Sequence, residues 1–146
     1  MKYKLSVFWF RRDLRLHDNH GFFQALDKSK SVLPIFIFDI NILKELNQND
    51  RRVSLLFDRL MELNKELAKQ SKKIHILYGD PKLILNELHE KLTYDAVFTN
   101  TDYEPYATKR DRIINNSLAK KHVKFLSFKD QVIFEKDEIL SNEGKV

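Results

Sequence analysis

Five short runs rich in Val, Ile and Phe, at residues 4–10, 32–38, 74–78, 96–100 and 123–128, are separated by segments whose apolar residues recur at helical spacing. Branched and aromatic side chains in runs this short predict strands. The clearest helical segment spans 52–69, where Val53, Leu56, Phe57, Leu60, Leu63 and Leu67 recur three and four residues apart. A regular alternation of strand and helix predicts an α/β domain built on a doubly wound, five-stranded parallel sheet with helices on both faces. The 146 residues suit one such domain, placed at 1–128.

Local punctuation supports the same reading. Asp80 is an N-cap candidate with Pro81 at the first helical position, and Ile84, Leu88 and Leu92 follow as a buried stripe. Glu104 and Pro105 open another helix in the same style. Along one side of that helix fall Tyr106, Arg110, Ile113, Ser117 and Lys121, a face only partly apolar, which suggests a groove edge. Past Phe128 the pattern weakens: Val132, Ile133, Phe134, Ile139 and Leu140 form neither a helical stripe nor a strict alternation. Residues 129–146 therefore read as an extended tail leaving the domain.

Composition removes several classes of function. With no cysteine the chain has no disulfide and no thiolate metal site, and no apolar run approaches the ~18 residues of a membrane span. The N-terminus lacks a targeting pattern, so a soluble cytoplasmic protein is expected, with no membrane partner. The three glycines, Gly21, Gly79 and Gly144, cannot supply a GxGxxG dinucleotide loop. His17, His20, His75, His89 and His122 show no metal-ligand pairing, and no serine sits in a nucleophile-elbow context. No catalytic or metal-ligating residue is expected. A net charge of +5 favours a polyanionic neighbour, but the lysines are scattered among glutamates on helix faces and support nucleic-acid binding only weakly.

Polar chemistry concentrates where the first apolar run stops, in Phe8-Trp9-Phe10-Arg11-Arg12-Asp13-Leu14-Arg15-Leu16-His17-Asp18-Asn19. Open parallel α/β sheets bind ligands just beyond the carboxyl ends of their strands. Those ends gather residues 11–15, Asp39 with Asn41, Gly79 with Asp80, and residues 100–104. From spacing alone, two readings of the charged loop stand side by side: a ligand site, or a solvated loop whose charges pair with one another.

The segment resembles the opening of the DNA photolyase/cryptochrome family, a strand followed by Trp-x-Arg-Arg-Asp-Leu-Arg-x-x-Asp-Asn, matched by residues 9–15 with Asp18 and Asn19. The likeness continues through 32–39, the Gly79-Asp80-Pro81 turn, Thr101-Asp102-Tyr103-Glu104-Pro105-Tyr106 and Asp137-Glu138-Ile139-Leu140. It implies a Rossmann-like sheet of order 3-2-1-4-5, with the ligand crevice between the loops after the first and fourth strands. It also implies that this is the N-terminal, antenna-binding α/β domain of a blue-light-dependent deoxyribodipyrimidine photolyase, a lyase of DNA repair. The helical domain that binds FAD and damaged DNA is absent here, and residues 129–146 begin the connection to it. Alone, the fragment would be inactive in repair, and its uncovered docking surface would favour self-association.

By the same resemblance the antenna-binding positions are Arg11, Phe36, Asp39, Arg52, Asp102 and Glu104. Phe36 would stack on a planar ring, the arginines would pair with anionic groups, and the carboxylates would accept hydrogen bonds. Each also has a plain role as core, loop cap or solvated helix residue. Folate-binding members carry an Asn-Glu pair where this chain has Tyr106 and Ala107, which favours 8-hydroxy-5-deazaflavin or FMN over methenyltetrahydrofolate. Two alternatives stay open: the same domain of a cryptochrome photoreceptor, and a stand-alone nucleotide- or flavin-binding module.

Overall fold

Alternate residues of the central strand point to opposite faces, and both faces are apolar, so the sheet requires helices on each side. The computed structural model, which describes residues 2–130, meets that requirement. In chain order the elements are β1 (Tyr3–Phe10), α1 (His20–Lys28), β2 (Ser29–Asp39), α2 (Ile40–Leu43), α3 (Arg51–Ala68), β3 (His75–Gly79), α4 (Pro81–Leu92), β4 (Ala96–Asn100), α5 (Pro105–Ala119) and β5 (Lys124–Phe128). The sheet has five strands in the order β3-β2-β1-β4-β5, every pairing parallel. The expected architecture is thus found, and the order reverses between β1 and β4.

Val7 and Trp9 of β1 join Ile35, Ile37 and Val97 in one core, closed by Leu85 of α4 and by Ile114 and Leu118 of α5. Phe8 and Phe10 point the other way, joining Phe36 and Phe98 under Ala25 of α1 and Leu60 and Leu63 of α3. Each fully buried side chain of this kind contributes roughly 1.5–3 kcal/mol. No helix among the described residues is long and apolar enough to cross a membrane.

Beyond shifts of a single residue, the elements depart from the sequence reading in two places. Strand β2 begins at Ser29 rather than 32, because Ser29 pairs with Tyr3 across the ladder and its hydroxyl donates to the buried Ser6 Oγ at 2.8 Å. The short α2 carried no periodic signal; it forms because Asp39 at the end of β2 accepts the Asn41 N–H at 2.9 Å. Asp80 caps α4 as read, accepting from the Leu83 N–H at 3.1 Å. Glu104 makes no side-chain cap bond at α5; instead Asp102 accepts the Glu104 N–H at 3.1 Å. The expectation for residues beyond Asp130, including the Asp137-Glu138-Ile139-Leu140 match, lies outside the described residues.

Candidate binding crevice

The charged loop after β1 turns inward. Asp13, Asn19 and Asn100 are 3%, 4% and 4% exposed, so their polar atoms need partners, and they find them in one another. Asn100 Nδ2 donates to the Asp13 carboxylate and, at 2.7 Å, to Asn19 Oδ1. Asp13 Oδ1 accepts from the Arg11 N–H at 2.8 Å, while Asn19 Nδ2 donates to the Asp13 and Arg15 carbonyls at 3.2 and 3.1 Å. Asn19 Oδ1 also caps α1, accepting from the Phe22 N–H at 3.1 Å. Gly21 donates its N–H to Asn100 Oδ1 at 2.8 Å, and a Cβ there would stand 2.5 Å from that oxygen. Asp13 and Asn19 of the signature, with Asn100, thus build a buried frame that ties β1, α1 and β4 together.

Arg11 continues the parity of Val7 and Trp9 and projects toward α5. Its Nη1 lies 2.6 Å from Asp111 Oδ2, and its Nη2 donates to the Asn100 carbonyl. From α5, Arg110 donates to Asp39 Oδ2 at 3.3 Å and to Asp111 Oδ1 at 3.2 Å. Both guanidinium carbons lie over the Trp9 ring, at 4.9 and 4.8 Å from its centroid. Arg11 Nε and Arg110 Nη2 are buried with no hydrogen-bond partner among the described residues, and the π face of Trp9 supplies their compensation. Tyr106 donates its hydroxyl to Asp39 Oδ2 at 2.8 Å. Burial, reinforced by that carboxylate, pushes the Tyr106 hydroxyl up to about 12, so it stays a donor at neutral pH.

These side chains close one end of a crevice of about 360 Å³ at the carboxyl ends of β1 and β2. Its walls are apolar, with Phe36, Phe38, Ile42, Leu43 and Leu56 prominent, and Arg12, Arg52 and Asp102 stand on its rim. Arg12 lies 3.7 Å from Asp102 and 3.6 Å from Glu104. Arg52 pairs with Asp50 at 2.7 Å, a hydrogen bond that raises the Arg52 pKa and holds the Asp50 carboxyl down at about 2. The two rim arginine side chains are 58% and 71% exposed, so their ion pairs are weak and both can turn toward an anion.

Of the six residues carried over, the structure brings Arg11, Phe36, Asp39, Arg52 and Asp102 to this crevice. Glu104 is not among its lining residues; its exposed carboxylate faces Arg12 instead. Arg11 is at hand but committed, with its guanidinium spent on Asp111 and Asn100. Asp39 serves both as the cap of α2 and as the acceptor for Tyr106 and Arg110. Sequence reasoning missed Trp9, Arg12 and Arg110 as lining residues. Trp9 and Arg110 had signals: the β1 parity, and the Tyr106/Arg110 pair one turn apart on α5.

The lining contains no histidine, serine, threonine or lysine, and no cluster among the described residues could hold a metal ion. Such a site suits a flat apolar body with charged edges. At about 360 Å³ it falls at the small end of the ~300–1,000 Å³ usual for ligand pockets.

A family model described as DNA photolyase matches residues 6–146. The chain is 33% identical to a deoxyribodipyrimidine photo-lyase of Synechococcus sp. over 138 residues, 94% of this chain and 28% of that one. It is 26% identical to cryptochrome-1 of Drosophila melanogaster, covering 97% of this chain and 27% of that one. Among solved structures, an archaeal photolyase from Sulfolobus tokodaii superposes with a TM-score of 0.81 at 29% identity, over 94% of this chain and 32% of that one. That structure is described as holding two FAD molecules, with the implication of a novel light-harvesting cofactor. The chain therefore spans about a third or less of the length of each of these relatives.

Proposed function

The chain belongs to the DNA photolyase family, and on that premise we propose that its crevice holds a flat, flavin-type antenna chromophore, 8-hydroxy-5-deazaflavin or FMN. The observation that carries this reading is the pairing of an apolar slot walled by Phe36 with two exposed arginines, Arg12 and Arg52, on its rim. Phe36 presents a ring for stacking; Arg52, on α3, pairs with an anionic tail; Asp102 accepts hydrogen bonds from ring or ribityl groups. A bound antenna would supply light absorption, and the excitation would serve FAD carried by a helical domain of the parent protein. That domain would also engage damaged DNA, so this portion alone would not repair pyrimidine dimers.

Tyr106 and Ala107 speak against methenyltetrahydrofolate, since Tyr106 spends its hydroxyl on Asp39 and Ala107 is buried without a polar side-chain atom. The two FAD molecules and the light-harvesting cofactor ascribed to the archaeal relative support a flavin-type guest. The likeness to cryptochrome-1 over 97% of the chain supports a second reading, the same domain in a photoreceptor without repair. Blue-light repair of dimer-containing DNA by a full-length parent protein separates the two.

Titration of the chain with FMN or the deazaflavin, followed by the emission of its single tryptophan, Trp9 in the crevice wall, tests the site. Binding should quench Trp9. Loss of one charge-assisted contact, worth about 1.5–3 kcal/mol, should weaken affinity roughly 10–100-fold in Arg52→Ala and in Asp102→Ala. Unaltered affinity in both variants, or an unchanged Trp9 signal at saturating flavin, would refute the pocket.

A further inference from the structure

Among the residues lining the crevice, Trp9 is the one whose side chain gives up an electron readily; the other aromatic rings there, Phe36 and Phe38, do not. A flavin in its excited state is a strong one-electron oxidant, and an indole beside it is a ready donor. One electron would pass from Trp9 to the guest, leave a radical cation on the indole, and return with the excitation lost as heat. A crevice that collects light with Trp9 in its wall needs that indole to resist oxidation.

The surroundings of Trp9 supply such resistance. Trp9 is 1% exposed, and the guanidinium carbons of Arg11 and Arg110 lie over its ring at 4.9 and 4.8 Å from the centroid. A cation on a π face is attracted by the neutral ring and repelled by the radical cation, and burial leaves that repulsion weakly screened. The balancing carboxylates belong to Asp39 and Asp111. Asp39 follows Ile35, the ladder partner of Trp9, by four residues, about 13 Å along β2. Asp111 accepts from both Arg11 and Arg110. Two arginines and two carboxylates sum to zero charge, so position decides, and the cations are the groups that lie over the ring. Nor are the guanidiniums fully spent on the carboxylates, since Arg11 Nε and Arg110 Nη2 have no hydrogen-bond acceptor among the described residues.

We infer that Arg11 and Arg110 hold Trp9 against one-electron oxidation, so that an excited guest in the crevice keeps its excitation. The consequence for the guest rests on the flavin-type reading of the crevice; the property of Trp9 belongs to the chain alone and is measured without a guest.

The chain has no cysteine, so Lys44→Cys, exposed at the end of α2, takes a single ruthenium polypyridyl photo-oxidant beside the crevice. Flash-quench oxidation, with the indole radical followed by its absorption apart from that of tyrosyl, gives the rate of electron loss from Trp9 in the guest-free chain. Trp9→Phe identifies the signal. Arg110→Met should raise the rate about tenfold through loss of one desolvated cation–π contact. Arg110→Lys, which keeps the charge, should stay near the unsubstituted rate. Asp111→Asn, which removes a neighbouring anion, should lower it. Opposite signs mark an electrostatic effect, since a loosened crevice would speed both. An unchanged rate in Arg110→Met, or an unchanged or faster one in Asp111→Asn, would overturn the inference; if Arg110→Met does not fold, Asp111→Asn decides alone. At saturating FMN, bound flavin emission should be weaker in Arg110→Met than in the unsubstituted chain, and equal emission would overturn the protective role. Failure of FMN to bind would instead refute the flavin-type reading, with the guest-free rates still deciding the assignment of Arg11 and Arg110.

Discussion

Replacing Gly21 by alanine sets two opposing effects against each other. Gly21 is the second residue of α1 and its backbone is helical, so at an ordinary helical site alanine would stabilise by roughly 0.5–1 kcal/mol. Here the added Cβ would stand 2.5 Å from Asn100 Oδ1, 3.1 Å from Asn100 Cγ and 3.2 Å from Phe8 Cε2. Asn100 is 4% exposed and has no solvent to retreat into. To make room its amide must release the Gly21 N–H and disturb the bonds from Nδ2 to Asn19 and to the Asp13 carboxylate. A neutral bond contributes about 1 kcal/mol and a charge-assisted one about 1.5–3. With the helix gain subtracted, Gly21→Ala should destabilise by about 2–4 kcal/mol, a fall in Tm of roughly 6–12 °C for a domain of this size. Urea unfolding followed by Trp9 emission measures it. In an Asn100→Ala background the obstacle is gone, and the same substitution should be neutral or mildly stabilising, a coupling of about 2–4 kcal/mol. A stabilised Gly21→Ala, or the same penalty in both backgrounds, would refute the frame.

Two further outcomes are expected. Tyr94 donates its hydroxyl to the Leu85 carbonyl at 2.6 Å inside the core, so Tyr94→Phe should cost about 1 kcal/mol in urea unfolding; a neutral result would mean the bond adds nothing. Burial, and then the charge of Lys73, pull the His75 pKa below its ordinary 6.5. The unfolded chain therefore binds the proton first as pH falls. The corresponding stability is fully present above pH 6.5 and declines below it, and His75→Gln should flatten that decline between about pH 7.5 and 5.5 in thermal melts; parallel curves would count against it.

Strand existence was legible because Val, Ile and Phe cluster wherever the sheet is covered on both faces. Polar Ser29, Lys30 and Ser31 hid the first turn of pairing in β2, since their place in the ladder comes from β1 and not from their own hydrophobicity. The resemblance named Arg11, Phe36, Asp39, Arg52 and Asp102, which the structure gathers at one crevice, but nothing local tells which of two adjacent arginines folds inward. Arg11 is drawn in by Asp111, 100 residues away, while Arg12 stays on the rim. Arg110 meets Asp39 across 71 residues, a pairing that periodicity on α5 can suggest only as a groove edge. Long-range charge pairing is the part of a site that patterns within one element do not carry.

The buried frame of Asp13, Asn19 and Asn100 completes its hydrogen bonding without help from any guest. A ligand entering the neighbouring crevice meets walls already set, so little of its interaction energy is consumed in ordering the loop, and association can run at the rate of encounter with an open slot. Discrimination between one guest and another then falls to the rim and the apolar wall. The exposed rim arginines, Arg12 and Arg52, can be exchanged without unmaking the scaffold, so what the crevice accepts can be altered with little change in stability.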